Sequence, residues 1–368
     1  MEDNINLENK KRTIKRKNLR YLGLNKFIGM YLIIRMHLYC NRTMPFDFGK
    51  RSCELLFISS GFLIGYNYYN NILELNYLSP FKYSYKHLRS FYPYYLLNLF
   101  YGIYLFKDYL KFDLTFIELL FINLLLLANW SSHKALARLY FQISWFLNNI
   151  FYCYFLSPFF IYSINNLKNP LKMFLFVSFV RIITEEFYNR GAFNIFDTHL
   201  HSGPIIRILE FYMGMLLSPL YFNIKARLDK FQNILSFKIL ITIIQILLPI
   251  ILYQLMVKFD KILFRCYFVL ILCIYVFIIS FDYGYLSNIV EIKFVKIIMS
   301  SQMEMYLIQM NIHFTFEKHF GKLLNQKTYG LILYYIQLIL ICIIAISYRK
   351  LYRDKLSKFM DKIIFSLQ

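Results

Sequence analysis

Residues 235–257 read LSFKILITIIQILLPIILYQLMV, an apolar run whose only charge, Lys238, lies near its start. At 1.5 Å rise per residue, about 20 such residues cross the ~30 Å hydrocarbon core of a bilayer. Ten further runs approach that length: about 22–40, 53–70, 91–106, 114–129, 142–164, 171–188, 205–222, 262–281, 297–317 and 329–348, with the quoted one making eleven. They account for the composition of this 368-residue chain, which is 58% hydrophobic and 17% charged, with a mean hydropathy of +0.44. Ordinary soluble domains are roughly 45–50% apolar and about 25% charged, so an ordinary soluble enzyme is excluded. No stretch after residue 90 is polar for long enough to separate a second domain. The expected organisation is one transmembrane domain, residues 21–350, between basic cytoplasmic tails at 1–20 and 351–368. The first run follows a long basic segment without an A-x-A-like cleavage site, and reads as a retained span.

Charge placement sets the number of spans. Seven Lys/Arg lie from Lys10 to Arg20 and six from Arg349 to Lys362, and the positive-inside tendency places both ends in the cytoplasm. That requires an even count. The short run Leu114–Asn129 is the one to demote to a re-entrant or half-spanning segment. Ten spans then put 24 Lys/Arg inside and 14 outside, whereas eleven give 19 and 19. The expected fold class is therefore all-α: a multi-pass plasma-membrane protein of about ten transmembrane helices plus one short segment. The net charge of +21 becomes a topology signal and not a nucleic-acid signal, and no nucleic-acid motif occurs. Membrane lipids are the expected surroundings, with the N-terminal tail a solvated basic arm.

Composition tempers some residue types. Ile, Asn, Lys, Phe and Tyr abound while Ala occurs six times, the pattern of AT-rich codon drift, so Lys and Asn carry less information than usual. The six Cys form no C-x-x-C pair, which signals neither zinc nor a disulfide framework. Asp197, His199 and His201 could offer metal ligands, but period two aligns them only by chance, and no metal is expected.

Ionisable groups inside apolar runs are costly and mark interior sites. The first run holds Lys26, Arg35 and His37. Lys26 and His37 are eleven residues apart, about 1100° around a helix, so they share a face to within ~20° with ~16 Å of rise between them. An imidazole can accept and return a proton near neutrality, as acyl transfer requires; a hydrogen-bonded interfacial His is the bland alternative. The second run opens Ser52-Cys53-Glu54 and continues through Ser59-Ser60-Gly61-Phe62-Leu63-Ile64-Gly65. Gly61 and Gly65 form a small-xxx-small pair that lets helices approach. Lys86 and Arg89 follow at i and i+3, suited to phosphate oxygens or to simple cytoplasmic anchoring.

Together these residues resemble the acyltransferase-3 family of integral membrane O-acyltransferases, in the branch without a fused esterase domain. Lys26-x10-His37 matches the family's Arg-x10-His, Glu54 through Ile64 its acidic residue and Ser-Gly-Phe-Leu run, and Lys86-x-x-Arg89-x-x-x-Pro93 its Arg-x-x-Arg-x-x-x-Pro segment. Trp145 to Pro158 is similar to its Trp-x-Leu…Pro span, with Asn148 and Asn149 where many members carry Glu. Arg207-x-x-Glu210-x-x-x-Gly214 is similar to its Arg-x-x-Glu-x-x-x-Gly span, and Tyr306-Leu307-Ile308-Gln309 to Tyr-Leu-Ile-His, with Gln for His and His313 one turn on. Lys at 26 and 86 cannot make Arg's planar two-pronged contact.

The resemblance implies transfer of an acyl group, usually acetyl, from acyl-coenzyme A to a hydroxyl of a cell-surface or lipid-linked glycan. Coenzyme A would enter as a donor substrate, with no permanently bound cofactor. Its phosphates would meet Lys86 and Arg89, with Lys26 nearby. His37 would be the base, with Glu54 orienting it or the sugar. Trp145, Arg207, Glu210 and Gln309 would line the acceptor side, although Arg207 with Glu210, like Arg181 with Glu185, could equally be a structural ion pair. A polysaccharide or lipid-linked sugar transporter and a non-catalytic membrane scaffold are the rivals from other classes.

Overall fold

The computed structural model describes residues 19–38, 47–70, 79–107, 113–130, 144–189, 203–258, 262–324 and 326–366, and among them every regular element is helical. In chain order the first helices are α1 (Arg20–Leu38), α2 (Asp47–Tyr68), α3 (Pro80–Leu88), α4 (Tyr92–Leu105) and α5 (Leu114–Leu124). Next come α6 (Ser144–Asn166), α7 (Pro170–Asn189), α8 (Pro204–Leu228), α9 (Leu235–Lys258) and α10 (Ile262–Ile279). The last are α11 (Lys293–Ser300), α12 (Gln302–Leu324), α13 (Lys327–Tyr348) and α14 (Asp354–Ser366), with a π-turn at Arg349–Arg353 joining the final two.

Each apolar run coincides with a helix, but one is divided. The run at 297–317 breaks at Ser301, which leaves helical geometry at φ −98° and ψ 10°. The hydroxyls of Ser300 and Ser301 both donate to the Ile297 carbonyl, at 2.7 and 3.1 Å, the local competition by which serine ends helices. The short run at 114–129 gives an 11-residue helix, too short to cross ~30 Å of hydrocarbon. A turn through Leu126, at φ +58°, follows it, and then a 3₁₀ turn at Ala128–Trp130 that buries Ala128 and Asn129. Residues 351–366, read as a tail, continue the π-turn into helix α14.

Three helical segments among the described residues are long and apolar enough to cross a membrane: 204–231, 235–255 and 328–359. The exposed face of α9, with Ile239, Leu240, Ile243, Ile246, Leu247 and Ile250, is the kind of apolar surface that lipid covers. Several other long helices fall short on composition because they carry charged residues on buried faces, Arg51 and Glu54 on α2 and Arg181 and Glu185 on α7.

The tightest packing is between α2 and α8. A Cβ on Gly61 would stand 1.8 Å from the Phe211 carbonyl oxygen, and one on Gly214 would stand 2.0 Å from that of Ile58. Gly65 likewise faces Met215 and Ser218. The paired numbers rise together, so the two helices run parallel, in backbone contact that glycine alone permits. Helix α1 lies antiparallel on α2, with Gly29 against Leu55 and the Ser52 carbonyl and Lys26 against Ser60. Its first turn is capped by Asp282, whose carboxylate accepts the Arg20 and Tyr21 N–H groups at 3.2 Å each. Helix α4 runs parallel to α12 through Asn98–Asn311 and Tyr101–Thr315 contacts. The starts of α1, α4 and α12 and the end of α13 thus share one end of the bundle, where Gly23 meets Met299 and Tyr94 meets Tyr348.

Candidate functional site

Six charged residues from α2, α7 and α8 form one buried network. Arg51 Nη1 donates to both carboxylate oxygens of Glu54, at 2.8 Å each. Arg181 pairs with Glu185, donates to Glu210 at 2.8 Å and reaches Glu54 at 3.6 Å. Arg207 closes the set on Glu210 at 2.5 Å. All six residues are at most 7% exposed. Three guanidiniums balance three carboxylates, and that neutrality is what makes burial of so many charges tolerable. Aromatic faces cover two of the cations: Arg51 lies 5.1 Å from the Phe268 ring centre and Arg207 5.7 Å from that of Phe57. The Cys153 thiol borders the network, donating to the Arg207 carbonyl at 3.8 Å.

This arrangement sorts the sequence candidates. Arg207 and Glu210 come together, joined to Arg181–Glu185 and to Glu54 in a single cluster. The Glu54 carboxylate, expected to orient His37 or the sugar, is instead held by Arg51 and Arg181. Arg51 was missed because it reads as one of a few cations in a loop. Its signal was the i,i+3 spacing to Glu54, which becomes meaningful once the helix begins at Asp47.

His37 belongs to a second, polar cluster. It is partly buried near the end of α1 and lies against Gln309 and His313 of α12. Its Nδ1 is sealed from solvent without a hydrogen bond, and the buried Gln309 carboxamide is the polar group that faces the ring. His313 Nδ1 meets Gln337 Oε1 of α13 at 3.3 Å, and the Gln337 Nε2 again has no partner. Gln309 and Gln337 are both 0% exposed. Buried polar atoms are nearly always hydrogen-bonded, so unsatisfied ones beside an imidazole are where a polar ligand would find partners. His313 lies one turn from Gln309 on α12.

Three rings bridge the two clusters. Phe57, beneath Arg207, packs on Phe146 at 4.9 Å, and Phe146 on Tyr306 at 5.1 Å, one turn before Gln309. Trp145 sits beside this bridge, its carbonyl accepting from Asn129 Nδ2 at 2.7 Å and its ring 6.0 Å from Phe146. Asn129 also donates to Asn149 Oδ1 at 2.9 Å, while neither amide atom of neighbouring Asn148 has a hydrogen bond.

The remaining cations lie elsewhere. Lys26 donates to Ser60 Oγ at 3.1 Å in the middle of α2. Lys86 is exposed on α3. Arg89, at the end of α3, is paired with Asp361 of α14 at 2.6 Å. Among the described residues no cluster of His, Cys, Asp or Glu suits a metal, and Cys53, Cys153, Cys273 and Cys342 are free thiols. Asp197, His199 and His201 lie outside the described residues.

No protein-family model matches the chain, and no curated protein or solved structure does.

Proposed function

We propose that this chain is a multi-pass membrane O-acyltransferase of about ten spans, with both termini in the cytoplasm. It would move an acyl group, acetyl in the simplest case, from acyl-coenzyme A to a hydroxyl of a cell-surface or lipid-linked glycan. The observation that carries this reading is His37: an imidazole inside the bundle with the fully buried carboxamide of Gln309 as its polar neighbour. His37 takes the proton of the acceptor hydroxyl as its oxygen attacks the thioester carbonyl. The C–S bond then breaks, and the imidazolium returns the proton to the departing thiolate. Gln309 Nε2 is an available N–H donor for the oxygen that becomes negative. The donor approaches from the end of the bundle where Lys86 and Arg89 lie. The Arg/Glu network holds α2, α7 and α8 in register beside the pocket and presents Arg207 toward the acceptor side.

The experiment is transfer of radiolabel from acetyl-coenzyme A to membrane glycan by cells expressing wild type or His37→Ala. Wild type is expected to transfer label and the variant to express normally and lose transfer. Undiminished transfer by His37→Ala overturns the assignment. Glycan export that is lost without any label transfer by wild type would favour the transporter.

A further inference from the structure

The last helix is fastened to the residues read as the donor's phosphate site. Asp361 of α14 accepts from Arg89 at 2.6 Å and from the Tyr85 hydroxyl at 3.3 Å. Immediately beside them, Arg353 of the π-turn donates to Ser90 Oγ at 3.2 Å and lies 5.1 Å from the Phe91 ring centre. Arg89, Ser90 and Phe91 lead directly into α4, a 14-residue helix whose N-terminus favours an anion. Two guanidiniums thus flank the segment that leads into α4, Arg89 held closely by Asp361 and Arg353 more loosely by Glu304 at 3.5 Å.

Beyond Arg353 the same end of the bundle buries further polar groups. Glu304 is 0% exposed, and neither of its oxygens has a hydrogen bond, although Arg353 and Arg349 stand off at 3.5 and 3.9 Å. The rings of Tyr94 and Tyr348 are 4.0 Å apart, and the Tyr348 hydroxyl is buried without a hydrogen bond. A carboxylate beside two hydroxyls suits an amide-bearing arm, which gives an N–H to Glu304 and takes an O–H at its carbonyl. Asn311, two turns from Glu304 on the same face of α12, donates to the Asn98 carbonyl at 2.9 Å.

We propose that Arg89 and Arg353 together bind a phosphate of the acyl-coenzyme A donor, and that Asp361 occupies Arg89 as an internal anion until that phosphate displaces it. The inference rests on the donor reading above and adds to it a residue and a latch from the C-terminal segment. A phosphate accepts two guanidiniums at once, whereas the Asp361 carboxylate takes only Arg89, so the exchange favours the ligand that bridges both.

The test is equilibrium binding of coenzyme A, and of pantetheine as the phosphate-free control, to purified full-length protein in lipid nanodiscs. Asp361→Asn is expected to bind coenzyme A about threefold more tightly, the scale of a half-exposed ion pair. Arg353→Gln is expected to bind it about tenfold more weakly, the loss of a charge-assisted hydrogen bond. Pantetheine binding should be the same in all forms, and Asp361→Glu, which keeps the carboxylate, should match wild type. If wild type binds coenzyme A but Asp361→Asn gains nothing, or Arg353→Gln loses nothing, the inference fails and the donor reading stands. Tighter binding by Asp361→Glu as well would mean a loosened helix and no displacement, and also overturns it. If neither wild type nor Asp361→Asn binds coenzyme A, the donor reading falls together with the inference.

Discussion

Arg181 of α7 donates to Glu210 of α8 at 2.8 Å while also pairing with Glu185 on its own helix, so one guanidinium ties two helices through two carboxylates. Removing it leaves a buried excess of negative charge. Arg181→Ala should destabilise the protein by roughly 3–5 kcal/mol, the cost of breaking a buried pair. The double variant Arg181→Met/Glu185→Gln restores charge balance and should recover part of that loss. Denaturant titration of the purified protein checks both, and a double variant no more stable than Arg181→Ala would show that the charge balance is not what matters.

The backbone contact of α2 with α8 predicts a contrast between glycines. Gly61→Ala places a methyl 1.8 Å from the Phe211 carbonyl oxygen, which forces the helices apart. It should lower the melting temperature far more than any other glycine-to-alanine change of equal chemistry in an open position. Gly321→Ala meets nothing within 4 Å and follows the break of α12 at Phe320 (φ −129°, ψ 18°), so it should be close to neutral. Thermal unfolding followed by circular dichroism separates the two.

Much of this architecture is legible along the chain, and the reason is one-dimensional. A bilayer-scale apolar run specifies a helix wherever it falls, so even the demoted run at 114–129 emerges as a short helix, and the Gly61/Gly65 pair locates the closest contact. What escapes is whatever depends on a distant partner. Arg51 looks like a loop cation until Glu54 and α7 surround it. Glu54 looks like a partner for an imidazole until Arg181 claims it. The C-terminal cations look like a solvated tail, although Leu356, Phe359, Ile363 and Ile364 recur at helical spacing; the pairing of Asp361 with Arg89 has no sequence signal at all. The break at Ser301 could have been read from the paired serines within an apolar run.

Gln309 supplies a kinetic prediction. Its buried carboxamide faces the His37 imidazole, and Gln309→Leu removes that polar neighbour while keeping a side chain of similar size. It should lower kcat for acetyl transfer by about 10²-fold or more, as loss of an oxyanion donor does, with the KM for acetyl-coenzyme A unchanged. A change confined to KM would place Gln309 in donor binding instead.

His87 predicts a pH effect on stability. Burial lowers its pKa and the neighbouring Lys86 adds to this, while the Tyr83 carbonyl, 3.0 Å from Nδ1, opposes them. The folded protein therefore holds the ring neutral, between Tyr83 and Tyr154. The unfolded chain takes up a proton near pH ~6.5, so the contribution is complete above that pH and is lost as pH falls below it. Denaturation midpoints measured from pH 8 to 5 should fall less steeply in His87→Phe than in wild type; equal slopes would show that His87 does not report on folding.

The parallel pairing of α2 with α8 also has a consequence for how the chain is made. Its two halves are separated by all of α3 to α7, so during synthesis α2 is made long before Arg181 and Arg207 exist to meet Glu54. Arg51, one turn away on the same helix, is the counterion available at that moment. The i,i+3 pair is a neutral unit from the start and stays intact in the finished fold, where Arg181 of α7 joins it at 3.6 Å.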